Sequence, residues 1–421
     1  MYFFRWLLFR RLRKGSELLG IVRKHFNHQR DVLPAKNVGE LSLAMESFEA
    51  ALRNPDTTAE ALKKASAEFE DLAHRWLKPY PYASYRDNFE SFLGTAVLVF
   101  AFKTFFATPM EIPTGSAQPT YYGITSDDLR DHPEVTIPTG PRAWWERWIK
   151  GTTYYEVIAV EDGELRGLSE PVKQLSLGKV GFGKQMSVQV GNRAYKVSWV
   201  PENPAKHLFL VQESGGPRLK DSFSKGEPII RCRVRSGDRL FVERFTYNFR
   251  RPKRGEYFVF QSSGMPAPVV QGTHYIKRLI AMGGEQVRLG DDRHVYVDGR
   301  RLGTNDPGFE KLYAFDPSEP PEDSKYSGHV NGTVFRDALV GQYRAGVGGL
   351  PPGPADGFAR MVVKLFPDER AVYQVRTNSY LGFGDNTMNS SDGRAWGDVP
   401  REKVIGKSWF VMWPFTDRWG W

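Results

Sequence analysis

The chain of 421 residues is poor in cysteine, and its single cysteine, Cys232, excludes a disulfide within the chain. Its cysteine content therefore indicates no cellular compartment. Charged and apolar residues alternate around Cys232 as in a β-strand, so we interpret it as a structural thiol and not as a nucleophile. The eight histidines are not spaced as metal ligands, and no His-Glu-x-x-His is present. We therefore predict no metal and no cofactor.

The chain also lacks a convincing targeting peptide and a sequence motif typical of nucleic-acid binding. The apolar stretch at residues 3–12 is interrupted by three arginines, and no small-residue cleavage site follows it. We interpret this stretch as an interfacial amphipathic helix. After residue 30 the charges nearly balance and no basic cluster is interleaved with aromatic residues, so we predict no nucleic acid among the partners.

The formal net charge of +9 is concentrated near the N-terminus. Residues 1–30 contain eight lysine or arginine residues and one acidic residue, Glu17, so +7 of the total lies there. A basic segment of this kind is typical of proteins that contact an anionic membrane surface. We therefore expect membrane lipid among the partners of the chain.

Residues 40–78 have the pattern of two helices. Apolar residues recur at helical spacing before Pro55, and a second series follows Thr57, which forms a capping box with Glu60. We predict a helical hairpin that binds a partner or packs within the chain. With the basic segment, it makes up a predicted cytoplasmic region over residues 1–88.

Residues 92–106 form an apolar run that is short for a membrane span, which needs about 20 residues, and Lys103 interrupts it. On hydropathy alone, a buried core helix is the alternative. Extension to residues 89–110 gives adequate length, and the charge of Lys103 can then reach the headgroups. Three basic residues lie in residues 75–86, and none lies between Lys103 and Arg130. By the positive-inside rule, we predict a transmembrane helix over 89–110 and translocation of 111–421.

Beyond residue 110 the sequence favours a mainly antiparallel β domain. Short alternating runs lie between frequent glycine and proline residues, at 186–190, 194–200, 239–245 and 294–297. Two long stretches, about 121–228 and 303–375, interrupt the segments that carry candidate chemistry. The first contains strand-like segments, so we predict an inserted β subdomain. A partner-binding or membrane-facing surface and a structural embellishment both remain open as its role.

A serine in a rigid turn follows the apolar run. Residues 112–120 read IPTGSAQPT, in which proline and glycine restrict the backbone around Ser116. Alone this signal is weak, and a second Ile-Pro-Thr-Gly at 137–140 is followed by Pro141 where a nucleophile would be needed. A serine hydroxyl also requires a neighbouring base to become a nucleophile.

A lysine in an apolar strand is the candidate base. If residues 275–280 form a strand, Tyr275, Lys277 and Leu279 share one face, and Arg278 lies on the other. Burial among apolar neighbours disfavours the charged ammonium and lowers the pKa of a lysine. A solvated strand lysine is the alternative when this segment is considered by itself.

The serine turn at 112–120 and the lysine segment at 275–280 act as two sequence motifs, or boxes. Together with two further segments, these boxes resemble the successive sequence boxes of the type I signal peptidases, in the same order along the chain. The further segments are SGDRLFV at 236–242 and residues 384–397, which begin with GDN and end with NSSDGRAWG. Members of this family are membrane-bound Ser/Lys enzymes that cut signal peptides from exported preproteins. The resemblance, over about a third of the chain, implies a serine endopeptidase with a mainly antiparallel β catalytic domain on the extracytoplasmic side of the cell inner membrane. Signal peptides are the implied partners, and contact with the secretion machinery is a further expectation.

The resemblance also implies a role for each site residue. The implied nucleophile is Ser116, and the implied general base is Lys277. Ser390 orients the lysine amine, and the Thr114 hydroxyl, with the Ser116 backbone N–H, stabilises the oxyanion. Asp385, Asp392 and Arg394 are implied as structural support, the last two as an ion pair.

One position departs from the family pattern. Family members nearly always carry methionine directly after the nucleophile, whereas this chain has Ala117. The smaller side chain is expected to widen a substrate pocket or to loosen local packing. Two alternatives stay open: a Ser/Lys autoprotease, and a catalytically inactive membrane-anchored scaffold, which Ala117 alone favours.

Overall fold

The computed structural model describes residue 6 and residues 9–78, 82–177, 180–210, 219–314 and 327–420. The chain divides into two compact units, Met1–Val99 and Phe100–Trp421. The helices are α1 (Arg10–Gln29), α2 (Ala35–Arg53), α3 (Ala59–Trp76), α4 (Ala83–Phe105), α5 (Gly140–Trp148), α6 (Pro204–His207), α7 (Thr246–Phe249), α8 (Gly332–Arg344), α9 (Pro352–Val362) and α10 (Gly393–Trp396).

The strands, which lie in the second unit, are β1 (Ala107–Glu111), β2 (Thr125–Asp128), β3 (Thr152–Ile158), β4 (Gly163–Leu168), β5 (Val172–Leu177), β6 (Val180–Val190), β7 (Arg193–Ser198), β8 (Ser222–Phe223), β9 (Pro228–Arg235), β10 (Arg239–Glu243), β11 (Tyr257–Gln261), β12 (His274–Met282), β13 (Gln286–Leu289), β14 (Val295–Val297), β15 (Arg300–Arg301), β16 (Val372–Gln374), β17 (Ser379–Phe383), β18 (Val399–Pro400) and β19 (Val404–Trp413).

Three packed helices form the core of the first unit. α1, α2 and α3 bury a shared apolar cluster in which the rings of Phe48 and Phe69 stack at 4.6 Å. The helical region predicted over 40–78 is present. The second helix begins one residue later than predicted: the N-cap is Thr58, not Thr57, and its hydroxyl accepts a hydrogen bond from the Ala61 N–H at 3.2 Å.

The N-terminal basic segment is described only in part. Residues 1–5 and 7–8 of the predicted interfacial helix lie outside the described residues. From Arg10 onward the chain is α1, whose Leu12, Leu19 and Phe26 are buried in the cluster shared with α2 and α3. The apolar face of α1 therefore packs against protein, and the interfacial helix predicted for residues 3–12 stays a prediction.

The helix at the apolar run does not match the predicted span over 89–110. α4 starts earlier, at Ala83, and ends at Phe105, and Met110 belongs to β1. Its first turns are polar, with an ion pair between Arg86 and Glu90. Within the ranges given above, no helix combines the length and the apolar character that crossing a membrane requires.

The second unit confirms the predicted antiparallel β architecture. Its main sheet has the order β1-β10-β19-β11-β12-β17-β18, and its paired strands run antiparallel. β1 is an edge strand of this sheet. β12 pairs with β11 from His274 to Arg278, whereas β17 joins its other edge only from Arg278 onward. Residues 274–277 thus leave one edge of β12 open among the described strands.

The first long stretch forms strands with a core of its own. β2 and β3 flank β9, and a second sheet has the order β5-β6-β4-β8, with β7 paired to β6. Cys232 of β9 is buried in the associated apolar cluster, and burial raises the pKa of its thiol to about 12. The thiol is therefore protonated at neutral pH, as befits a structural cysteine.

The second long stretch contributes two helices over a small sheet. α8 and α9 cover an apolar cluster that also contains residues of β13, β14 and β17, and the small sheet has the order β15-β14-β13-β16. Residues 315–326 lie outside the described residues. This cluster packs behind β17, the strand that leads into the loop at 384–392.

Candidate active site

A short 3-10 turn, Gly115–Ala117, places Ser116 just beyond β1. On one side, the Ile112 N–H donates to the Asp238 carbonyl at 2.9 Å. On the other, Asn386 donates from its backbone N–H to the Ser116 carbonyl at 3.1 Å and from Nδ2 to the Gly115 carbonyl at 3.0 Å. Contacts from two distant parts of the chain thus fix the turn that carries the serine.

Strand β12 brings Lys277 to this serine. The Nζ of Lys277 lies 3.1 Å from the Oγ of Ser116 and 3.1 Å from the Oγ of Ser390. The lysine side chain is only 2% exposed. Burial lowers the pKa of Lys277 to about 8; Asp392 acts to raise it and Arg394 to lower it. About one amine in ten is then neutral at pH 7, against far fewer than one in a thousand for an ordinary lysine.

The backbone of Gly384 fits closely around these groups. A Cβ at this position would lie 2.1 Å from the Oγ of Ser390 and 2.5 Å from the carbonyl oxygen of Ser116. Atoms cannot approach so closely without displacement. The loop at 384–392 therefore needs glycine at position 384 so that Ser390 and the serine turn can pack closely together.

A fully buried ion pair holds the loop that carries Ser390. Arg394 donates to Asp392 through Nε at 2.9 Å and Nη2 at 3.0 Å, and both side chains are 0% exposed. Asp392 also accepts the Gly384 N–H at 3.0 Å, and Arg394 donates to the Thr387 hydroxyl at 2.8 Å. Burial acts to raise the pKa of Asp392, but Arg394 outweighs burial and the pKa is lowered. The predicted pair is thus formed, and the lowered pKa keeps Asp392 ionised at neutral pH.

A second buried ion pair lies on the opposite face of β12. Arg278 points away from Lys277, as strand alternation predicts, and donates to Asp385 at 2.7 and 2.5 Å. The Thr120 hydroxyl donates to the same carboxylate at 2.6 Å. Burial acts to raise the pKa of Asp385, and Arg278 more than offsets it, so the pKa is lowered. The sequence analysis predicted a supporting role for Asp385 but none for Arg278. Their opposite charges, in two segments that were expected to lie close together, could have indicated this ion pair.

Polar donors lie beside the reactive oxygen. The Oγ1 of Thr114 is 3.4 Å from the Oγ of Ser116, and the Thr114 side chain is exposed at the mouth of the site. The backbone N–H of Ser116 lies in the same short turn. An exposed hydroxyl and a backbone N–H beside a nucleophile can both donate to an oxyanion that forms there.

The dyad opens into a cleft of about 850 Å³ with largely apolar walls. Ser116 and Lys277 line it, and many of its apolar side chains come from strands of the main sheet: Met110, Leu240, Val242, Val259 and Ile276. The open edges of β1 and of β12 border it, so an extended peptide could pair there. In the described ranges, no cluster of histidine, cysteine and carboxylate side chains could hold a metal ion.

Two features of this cleft were not foreseen in the sequence. Residues of the inserted subdomain also line it: Glu202, Asn203, Lys206 and His207. Conversely, Ala117 is fully buried and does not line the cleft; its carbonyl accepts from the Tyr257 hydroxyl at 3.3 Å. The expected effect of Ala117 on a substrate pocket or on local packing stays a prediction.

Comparison with known proteins locates the match within the second unit. Residues 231–413 match the model of the family described as signal peptidase, peptidase S26. This range contains Lys277 and Ser390, whereas Ser116 lies before it.

Named relatives agree with this match. The chain is similar to a probable signal peptidase I-2 of Synechocystis sp., with 27% identity over 177 residues that make up 42% of this chain and 56% of that protein. It is also similar to a signal peptidase I of Pseudomonas fluorescens, with 25% identity over 202 residues, 42% of this chain and 58% of that protein. The chain thus spans just over half the length of these relatives.

A solved structure also aligns with part of the chain. The crystal structure of a signal peptidase I from Enterococcus faecalis covers 38% of this chain and 97% of that one, at 19% identity and a TM-score of 0.23. At that score we base no argument on the superposition. The family and sequence matches confirm the resemblance found in the motifs: part of this chain is similar to the family described as signal peptidase, peptidase S26, and to proteins named signal peptidase I.

Proposed function

We propose that this chain is a serine endopeptidase that removes N-terminal signal peptides from exported preproteins. The observation that carries the proposal is the buried Lys277 amine, 3.1 Å from the Ser116 hydroxyl at an apolar cleft. A nucleophile, a desolvated base and a site for an extended peptide are what acyl transfer by a Ser/Lys dyad requires. The names of the relatives support signal peptides as the substrate class.

The chemistry begins with proton transfer within the dyad. The neutral amine of Lys277 takes the proton of the Ser116 hydroxyl, and the oxygen attacks the carbonyl carbon of the bond to be cut. The tetrahedral intermediate collapses as the resulting ammonium gives its proton to the leaving amine, so an acyl-enzyme and a free mature N-terminus form. The same amine then takes a proton from water, which hydrolyses the ester and restores the serine.

Three neighbouring groups assist this reaction in the proposal. The Ser390 hydroxyl, 3.1 Å from the amine, holds the lysine toward the serine. The Thr114 hydroxyl and the Ser116 N–H donate to the oxyanion. The substrate strand pairs along the open edges of β1 and β12, and small side chains before the cut enter the apolar cleft.

We also propose that the protein works at a lipid bilayer. Many apolar side chains between residues 92 and 106 are about half exposed or more: Phe92, Leu93, Val97, Leu98, Val99, Phe100, Phe102, Phe105 and Phe106. An exposed segment with so many apolar side chains favours contact with lipid. In this proposal the segment holds the protein at the cell inner membrane, with the site on the extracytoplasmic side. A C-terminal tag that is shielded from protease in spheroplasts would contradict this orientation.

The scaffold alternative receives little support. It rested on Ala117, and this side chain lies outside the cleft and away from the 3.1 Å contact between the two reactive atoms. An inactive scaffold also gains nothing from a fully desolvated lysine, since burial of an ammonium is unfavourable.

Cleavage of a preprotein by the full-length protein in detergent or lipid tests the proposal. We expect cleavage by the unmodified protein and none above background by Ser116→Ala or Lys277→Met. Two matched substitutions, Ser263→Ala and Lys225→Met, change exposed side chains outside the cleft and should leave the rate unchanged. Full cleavage by either dyad variant would contradict the mechanism.

A further inference from the structure

We infer that residues 202–207 of the inserted subdomain select preproteins by the charge of residues next to the cut. This inference rests on the proposed function, because it concerns the substrate of the same site. Its basis is the cleft itself: Glu202 and Lys206 stand in the wall of a cavity that also contains Ser116 and Lys277. Apart from Ile124, which precedes β2, the rest of that wall belongs to the main sheet and to the loops that join its strands.

The segment is fixed in place and is not a loose loop beside the cleft. His207 is only 7% exposed, and its Nδ1 lies 3.2 Å from the hydroxyl of Ser126 in β2. The next residues, Leu208 and Leu210, are buried in the core of the inserted subdomain. Asn203 has a left-handed backbone with φ of 50°, which turns the chain into α6. A wall fixed in this way loses little conformational freedom when a substrate binds.

The two charges of this segment are free to meet a substrate. Glu202 and Lys206 are exposed, and neither forms an ion pair or a side-chain hydrogen bond with any of the described residues. Other charged groups of the cleft are already engaged: Glu111 pairs with Arg239 at 3.2 Å, and Lys277 is buried against the dyad serine. The apolar part of the cleft carries no charge that could discriminate. Selection by charge therefore falls to these two side chains.

The chemistry of each side chain sets the direction of the preference. Lys206 favours an acidic side chain and disfavours a basic one, and Glu202 does the opposite at its own position. Because both charges are exposed, each attraction is modest, about two- to fivefold in affinity. Neither group reaches the reacting atoms, so KM changes and kcat does not.

Binding and cleavage are measured separately so that the two hypotheses can fail independently. Peptides that span a preprotein cleavage site carry Asp, Lys or Gln at one flanking position at a time. Binding is measured by fluorescence anisotropy with full-length protein that carries Ser116→Ala, and cleavage with the unmodified protein. We expect Lys206→Gln to lose a two- to fivefold preference for Asp over Lys at one position, and Glu202→Gln to lose the reverse preference at another.

Two charges elsewhere on the inserted subdomain provide the controls. Lys196→Gln and Glu170→Gln remove exposed charges that do not line the cleft, and they should leave both preferences unchanged. The inference would be overturned if the control variants lost the charge preferences equally, or if both test variants kept them. Peptides that bind the protein without any charge preference would also overturn it. Cleavage without charge preference refutes only the inference; charge-selective binding without cleavage supports the inference and refutes the proposed function.

Discussion

Replacement of Lys277 by methionine should abolish cleavage and make the fold more stable. Methionine keeps the length and the apolar stem of lysine but cannot accept a proton. The side chain that it replaces is 2% exposed and surrounded by protein. If the lysine is buried for chemistry, its removal relieves a cost that the fold otherwise bears.

The size of this cost follows from the pKa. Burial lowers the pKa of Lys277 from its usual 10.5 to about 8, which corresponds to about 3 kcal/mol. The sign is set by proton uptake: between these two values the unfolded chain binds more protons than the folded one, so stability falls as pH falls from 10.5 to 8. Below 8 the cost is fully present, and above 10.5 it is absent. Loss of hydrogen bonds to Ser116 and Ser390 offsets about 1 kcal/mol.

Urea unfolding at several pH values measures both quantities. Tryptophan fluorescence can follow the second unit, because Trp396 is buried with its ring 5.6 Å from that of Tyr275 in β12. We expect Lys277→Met to gain about 1 to 3 kcal/mol at pH 7 and to lose most of this gain near pH 10, whereas Lys225→Met at an exposed site gains nothing. A destabilised variant at pH 7, or a difference independent of pH, would refute the argument.

Three further predictions concern the same loop and dyad. The rate constant kcat/KM should rise about tenfold per pH unit below pH 8 and level off above it, because cleavage requires the neutral Lys277 amine; a flat profile from pH 6 to 9 would exclude it as the base. Asp392→Asn leaves the charge of Arg394 buried without its partner and should cost about 3 to 5 kcal/mol in urea unfolding, and an unchanged midpoint would show that the pair is dispensable. Gly384→Ala should abolish cleavage because its Cβ has no room, whereas Gly353→Ala, in open space, should not; an active Gly384→Ala enzyme would show that the loop can move aside.

The sequence carried most of the information about the dyad. Ser116 follows a strand and Lys277 lies within one, so two local patterns specified where each side chain would be presented. Their meeting at 3.1 Å depends on the pairing of strands far apart in the chain, which periodicity alone does not determine. The order of the four segments resembles that of the type I signal peptidases, and this resemblance predicted that the two side chains meet.

The unforeseen features share a physical reason. All of them depend on tertiary contacts. They are the packing of α1 against α2 and α3, the ion pair of Arg278 with Asp385, and the position of residues 202–207 in the wall of the cleft. A basic amphipathic helix has the same pattern whether its apolar face meets lipid or other helices. The bounds predicted for the apolar helix, 89–110, were wrong for a similar reason, since chain composition did not reveal that residues 107–111 would pair as a strand with β10.

Under the proposed function, the active site is completed only after the loop at 384–394 has been synthesised. Asn386 contacts the carbonyl of Gly115 across 271 positions of sequence, and Ser390 contacts Lys277 across 113. Such distant contacts form late, because the intervening chain must first be present and folded. A growing chain therefore carries its serine long before that serine is held in place. A fragment that ends before this loop would therefore lack both Ser390 and the contacts of Asn386 that fix the serine turn.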